Sequence, residues 1–186
     1  MLSIILRILT PSNGSIIIDS VPTNNILLST LRQRIITIPQ DFVHIPGTLR
    51  LNLDLFTQAS DDDINAVLDK IGLLETLTNQ GGLDSPFLPE KLSKGQKQLL
   101  AFARAMIQRQ AQRTAVVLLD EVTSSLDNET ERKINAINKN EFRDCTLILV
   151  SHNVEMIMQM DALAVMDAGK LVYFGMPDES KLQIGH

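Results

Sequence analysis

The sequence predicts an α/β fold built on a parallel-type sheet, from three features. Val116-Val117-Leu118-Leu119 is an unbroken apolar run that ends on two adjacent carboxylates, Asp120-Glu121. A short run without alternation is the pattern of a strand buried on both faces, the usual state in a parallel sheet. Cys145-Thr146-Leu147-Ile148-Leu149-Val150 repeats the pattern and ends at Ser151-His152. From about Lys97 onward such strands alternate with helical patterns, the rhythm of a parallel α/β core.

The composition sets the bounds. A chain of 186 residues suffices for one domain with a real core, and 44% hydrophobic against 4% aromatic residues makes that core aliphatic. A net charge of −5 argues against a nucleic-acid partner, which needs a basic face. The single cysteine, Cys145, excludes an internal disulfide and fits a reducing compartment. Its place in a strand pattern reads as an inert buried thiol. No apolar run approaches the roughly 20 residues that cross a bilayer. Met1 to Leu9 is apolar but short, interrupted by Arg7, and followed by the turn-like Thr10-Pro11-Ser12-Asn13-Gly14 rather than a cleavage site.

In chain order, Leu2, Ile5, Leu6 and Leu9 fall at helical spacing, with no capping residue before them. Ser15-Ile16-Ile17-Ile18-Asp19 reads as a strand, Ser20 to Ser29 as a loop, and Arg34 to Ile38 as a second strand stopped by Pro39. Gln40 to Gly47 is a loop, and Leu49 to Leu53 a short element of open type. Ser60, followed three residues later by Asp63, resembles a capping box. The acidic run Asp61-Asp62-Asp63 sits where the helix dipole favours it, and Ile64, Val67, Leu68 and Ile71 line the buried face. Gly81-Gly82, Pro86 and Pro89 mark a loop. A helix carrying Leu99, Phe102, Ala103 and Met106 follows, joined by polar Gln108 to Arg113 to the Val116 strand. Asn128 with Glu131 is expected to cap the next helix, which carries Ile134 and Ile137. After His152 come a Met-rich helix near Val154 to Met160 and a hairpin. In the hairpin Ala162 to Met166 and Leu171 to Phe174 flank Asp167-Ala168-Gly169-Lys170.

Two stretches carry chemistry. An acidic pair at the carboxyl end of a buried strand lies where α/β proteins bind ligands, and a bound cation is the economical reason for it. Asp120 is placed to hold Mg2+ directly or through water, and Glu121 to orient or deprotonate a water. Leu92-Ser93-Lys94-Gly95-Gln96 leads into a helix; free N–H groups, the Ser93 hydroxyl and a close backbone approach at Gly95 make a phosphate seat. An ordinary helix cap is the plainer alternative there, as a solvated strand end is for the acidic pair. The remaining candidates read as structural or solvated: His44 in a loop, His186 at the terminus, and Met156, Met158 and Met160 as core filler.

Gln40 after a strand, Leu92 to Gln96, Val116 to Glu121, Ser124 to Asp127 and His152 after a strand occur in one order. That order and spacing resemble the ATP-binding domain of ABC transporters. Gln40 looks like the Q-loop glutamine and Leu92 to Gln96 like the signature. Val116 to Glu121 looks like Walker B with its catalytic glutamate, Ser125-Leu126-Asp127 like the D-loop, and His152 like the switch histidine. Ile38-Pro39-Gln40-Asp41, Gly47 to Asp54 and Gly81-Gly82-Leu83-Asp84 are similar to the second nucleotide-binding domain of the multidrug-resistance-associated (class C) exporters.

The resemblance implies a P-loop NTPase-like ABC ATPase core. Its helical subdomain would lie near residues 56–95, with remnants of an antiparallel β part near the N-terminus. It also implies that two such domains sandwich two ATP molecules, that transmembrane domains of an exporter are the further partners, and that the site lies on the cytoplasmic face of a membrane. Ser93, Gly95 and Gln96, with Asp127, would then serve a nucleotide held by the partner domain. Gln40 would approach Mg2+ and the attacking water, Asp120 would hold Mg2+, Glu121 would position the water, and His152 would hydrogen-bond the γ-phosphate. This chemistry is mainly positioning and charge neutralisation.

The departures from the family pattern also carry expectations. No G-x-x-x-x-G-K-[ST] occurs in these residues, and that loop supplies the backbone nest and lysine for the phosphates. Aligning Arg7 and Pro11-Ser12-x-Gly14 puts the P-loop lysine a few residues before Met1. The expectation is a domain lacking its first strand, its P-loop and its adenine-stacking aromatic, inactive alone. A non-hydrolytic partner lending its signature to another domain, or a truncated gene product, are the alternatives. Lys94 stands where the signature usually has a small glycine, the Pro86 to Lys91 segment is short, and Asn153 replaces a common arginine.

Overall fold

The computed structural model describes residues 2–112, 114–122 and 126–182. Its centre is a three-stranded parallel sheet in which β4 (Val116–Asp120) lies between β3 (Ile35–Ile38) and β5 (Thr146–Val150). Ile38 pairs with Leu119 and Asp120 with Val150, so the three strands run in step to a common carboxyl edge.

Both faces of this sheet are apolar, as the unbroken runs predict. Ile36, Ile38, Val117 and Leu119 point into the larger core, where Leu147 and Leu149 pack beside them. The alternate residues Ile35, Val116 and Leu118 point to the other side, joined by Ile148. The period of two along a strand assigns successive residues to opposite faces. Leu147 to Val150 are half-buried rather than buried. Edge position alone does not explain this, because β3 is the other edge strand and is mostly buried: the helices Leu28–Arg34 and Lys94–Gln112 pack on β3, whereas the main neighbour of β5 among the described residues is β4.

The smaller face is covered by the N-terminal part. Helix α1 (Leu2–Ile5) is shorter than the helical spacing to Leu9 predicts, yet Leu2, Ile5 and Leu6 do pack against Leu31 and the sheet. Strands β1 (Ile17–Ile18) and β2 (Val21–Pro22) form a small antiparallel pair, turned by Asp19 and Ser20 at φ 49 and 67°. The stretch expected to be loop ends in α2 (Leu28–Arg34), whose buried Leu31 was not evident from its polar flanks. Arg7 helps hold this layer, its guanidinium donating to the carbonyls of Thr23 at 3.1 Å and Ile26 at 2.7 Å.

The larger face carries the helices. The open element is helix α3 (Leu49–Leu53), capped by the Thr48 hydroxyl, which accepts from Leu51 N. Helix α4 (Asp61–Lys70) starts at Ser60 with the expected reciprocal capping box, and α5 (Leu74–Asn79) follows. Arg50 bridges Asp61 at 2.6 Å and Asp84 at 3.2 Å, tying α3 to the start of α4 and to the glycine loop. Helix α6 (Lys94–Gln112) absorbs most of the polar stretch expected to be a connector; Arg113 lies outside the described residues. Residues of α4, α5, α6 and the sheet form one continuous apolar cluster.

Helix α7 (Asn128–Glu141) is capped by Asp127, not Asn128. Helix α8 (Val154–Ile157) is shorter than the Met-rich stretch suggests, and buries Met156. Strands β6 (Leu163–Asp167) and β7 (Lys170–Gly175) form the expected hairpin, with Ala168 and Gly169 at φ 46 and 78° in its turn. Helix α9 (Glu179–Leu182) ends the described chain. No helix among the described residues is long and apolar enough to cross a membrane.

Phe102 on α6 is fully buried, its ring centroid 6.5 Å from that of Phe142, so the two join α6 to the end of α7. Phe102→Ala should cost about 3–5 kcal/mol of unfolding free energy in denaturant titration. A loss below about 1 kcal/mol would place the core elsewhere.

Candidate functional site

Three loops leave the sheet's carboxyl edge side by side. Pro39-Gln40 follows β3, Asp120-Glu121 closes β4, and Ser151-His152 follows β5. The parallel register therefore gathers Gln40, Asp120, Glu121 and His152 at one edge, although they are spread over more than a hundred residues of sequence. That edge is where open α/β sheets bind ligands.

Asp120 is exposed at the end of an otherwise buried strand. Glu121 adopts φ 47°, a left-handed conformation that a non-glycine residue takes at a cost. Its N–H donates to the Val150 carbonyl at 2.8 Å, so the turn away from β4 is held by β5. The turn leaves Glu121 Oε1 3.7 Å from His152 Nε2, longer than a direct hydrogen bond. The imidazole is largely exposed, and the Glu121 side chain is half-buried. Gln40 is exposed; the loop that carries it is fixed at its root, where buried Gln98 of α6 donates to the Pro39 carbonyl at 3.2 Å.

The second candidate group forms at the first turn of α6. Ser93 and Gln96 make a reciprocal cap: Ser93 N donates to Gln96 Oε1 at 2.9 Å, and Gln96 N donates to the Ser93 hydroxyl at 3.2 Å. Ser93 and Lys94 are exposed, while Gly95 is buried. A Cβ at Gly95 would meet Thr130 Oγ1 at 2.8 Å and Asp127 Oδ2 at 3.4 Å. The glycine here thus lets α6 approach the start of α7, a packing reason that a reading based on phosphate approach did not foresee.

Asp127 caps that helix start and is exposed. Its carboxylate accepts from Glu129 N at 3.1 Å, Thr130 N at 2.9 Å and the Thr130 hydroxyl at 2.7 Å. The Thr130 N–H and hydroxyl hold its carboxyl below the ordinary aspartate value of 3.8. Thr123, Ser124 and Ser125, part of the motif around it, lie outside the described residues.

Sequence reasoning missed two contacts. Glu131, expected to serve a cap with Asn128, instead accepts from Asn153 Nδ2 at 2.5 Å. Arg104 of α6 donates to the carbonyls of Asn52 at 2.7 Å and Val43 at 3.0 Å and lies over the Phe42 ring, and burial lowers its pKa. Asn52 in turn clasps both backbone groups of Ile45. The detectable signals are an arginine and an asparagine set among the apolar residues of their helices, but neither names its partner in sequence.

At this edge the residue whose chemistry fits a Mg2+ ligand is Asp120. Among the described residues no three His, Cys, Asp or Glu side chains form a metal cage. One exposed carboxylate at a strand end matches Mg2+, which takes few protein ligands and keeps water and phosphate oxygens.

The close approach at Gly95 generates a test. Gly95→Ala should destabilise the chain by about 1–3 kcal/mol, as overpacking does. Adding Thr130→Ala should recover part of that loss, giving a coupling energy of at least about 0.5 kcal/mol in a double-mutant cycle. Strict additivity would contradict the packing account.

Comparison with known proteins is consistent across kingdoms. The sequence model of the ABC transporter family matches residues 1–124. The chain is 39% identical over 186 residues to the ABC transporter FGM5 of Gibberella zeae, covering 94% of this chain and 13% of that protein. It is 36% identical over 184 residues to ATP-binding cassette sub-family C member 2 of Homo sapiens, covering 93% and 11%. It is also 36% identical over 180 residues to ABC transporter C family member 13 of Oryza sativa subsp. indica, covering 95% and 12%. The chain therefore spans about an eighth of the length of these relatives. With its parallel sheet and this match over two thirds of its residues, the chain belongs to the ABC transporter family.

Proposed function

We propose that these residues form the catalytic-edge and signature portions of an ATP-binding domain that couples ATP hydrolysis to transmembrane transport in a class C-type exporter. The supporting observation is the meeting of Gln40, Asp120, Glu121 and His152 at the carboxyl ends of three adjacent parallel strands. In this reading Asp120, with Gln40 nearby, holds Mg2+, which would neutralise phosphate charge when bound. Glu121 orients the attacking water, and His152 donates to the terminal phosphate, which imidazole does in either protonation state. Ser93, Gly95 and Gln96, with Asp127, face a nucleotide held by a second domain of the same kind. Ser93 and Asp127 are the exposed members of that group, and the close approach at Gly95 sets its helix against α7.

The helices over 56–95 are proposed as the helical subdomain. Exposed Val43, Ile45, Leu55 and Phe56 lie near α3, and Arg104 and Asn52 fix the loop that carries the first two. This apolar surface fits a docking face for transmembrane domains, and so a place at the cytoplasmic face of a membrane.

The 186 residues contain no G-x-x-x-x-G-K-[ST], so we propose that the isolated polypeptide does not turn over ATP. Phosphate release by the pure chain should equal background. Turnover abolished by Glu121→Gln would overturn that. The same chain joined to a family strand and P-loop should bind Mg2+-ATP in equilibrium titration, and a lack of binding there would contradict the assignment of the edge. Addition of the unmodified chain to a P-loop-bearing domain tests the alternative of a lent signature, because stimulation lost on Ser93→Ala would favour it.

A further inference from the structure

The Asn153 side chain makes an unusual pair of contacts for its position. Its Nδ2 donates to Glu131 Oε1 of α7 at 2.5 Å, and its Oδ1 accepts from Met156 N at 2.9 Å to cap α8. Its backbone N–H donates to the Ser151 hydroxyl at 2.9 Å. Asn153 therefore closes the short loop in which His152 sits, from both sides of that residue. The His152 ring itself is 83% exposed, so little packing holds it near Glu121.

The other end of the tie is rigid. Glu131 lies one turn into α7, whose start is fixed by the three hydrogen bonds to Asp127 and by the close contact of Thr130 with Gly95. Glu131 is half-buried, which strengthens a charge-assisted hydrogen bond relative to one in open solvent. A side chain anchored in a helix thus reaches across to the loop after β5 and sets its course.

We propose that Glu131 and Asn153 are a positioning pair that holds the His152 loop, and with it the imidazole, against Glu121. Neither residue touches a ligand in this reading; both act through His152. The proposal rests on the reading of His152 as a phosphate-facing residue for its functional meaning, but its geometry is testable without nucleotide. Both ends of the Asn153 amide are used, one for the helix cap and one for the tie.

The test is nuclear magnetic resonance of the full chain, with circular dichroism as the check that each variant is folded. The readouts are backbone order parameters at Ser151 to Asn153 and the proton contact between the His152 ring and the Glu121 side chain. In Asn153→Asp the α8 cap survives but two carboxylates face each other. Order parameters should fall from about 0.85 toward 0.6 or below, and the ring contact should vanish. Combining it with Glu131→Gln reverses the direction of the hydrogen bond, and should restore both readouts. Unchanged order and contact in Asn153→Asp, or no recovery in the double variant, would overturn the pair. Failure of nucleotide binding in the P-loop-joined chain, with these readouts as expected, would instead count against the ATP reading alone.

Discussion

Everything at the candidate site depends on β4 lying in parallel register between two neighbours. Parallel strands in step end together, so whatever follows each one must emerge at the same edge. Ile38 beside Leu119 and Asp120 beside Val150 fix that edge. The strands are held there by apolar residues on both faces, which have two separate clusters to enter. A slip of one residue would exchange those clusters and send Asp120 into the sheet, where an unpaired carboxylate is costly. The placement of the candidate residues is thus a consequence of a packing constraint.

A second constraint acts one layer out. The first turns of α6 and α7 meet through Gly95, Thr130 and Asp127, and α7 then reaches the His152 loop through Glu131. Residues that the family resemblance assigns to a nucleotide therefore also carry structural duties here. Ser93 and Gln96 cap α6, Asp127 caps α7, and Gly95 gives the space between them. The plain and the functional accounts of these residues are compatible. A capped helix start still presents further N–H groups at its end, and the cap keeps that end from fraying.

The sheet was largely legible because its signal is strong: unbroken β-branched and leucine runs have few alternatives as long as the flanks are polar or proline-rich. The Ser60 capping box and the Asp167 to Lys170 turn were legible for the same reason, each being a local pattern with one mechanism. Helix α2 was hidden, since Leu28 to Arg34 is mostly polar and its one buried anchor, Leu31, gains meaning only from the far side of the sheet. The end of α6 was misplaced because Gln108 to Gln112 is polar yet made of good helix formers. The residues named from the order of motifs share one sheet edge, while the ties that shape that edge did not show in the sequence. Asn153 to Glu131 and Arg104 to Asn52 are long-range contacts between residues that look solvated in one dimension.

The central claim is that one sheet edge gathers the groups that handle Mg2+-triphosphate. The most direct measurement is paramagnetic broadening by Mn2+-ATP, in place of Mg2+-ATP, in the isotope-labelled chain joined to a family P-loop. The account predicts that signals of Gln40, Asp120, Glu121 and His152 broaden together, ahead of those in α4, α5 and the β6–β7 hairpin. Broadening centred on any other part of the chain, with that edge untouched, would contradict it.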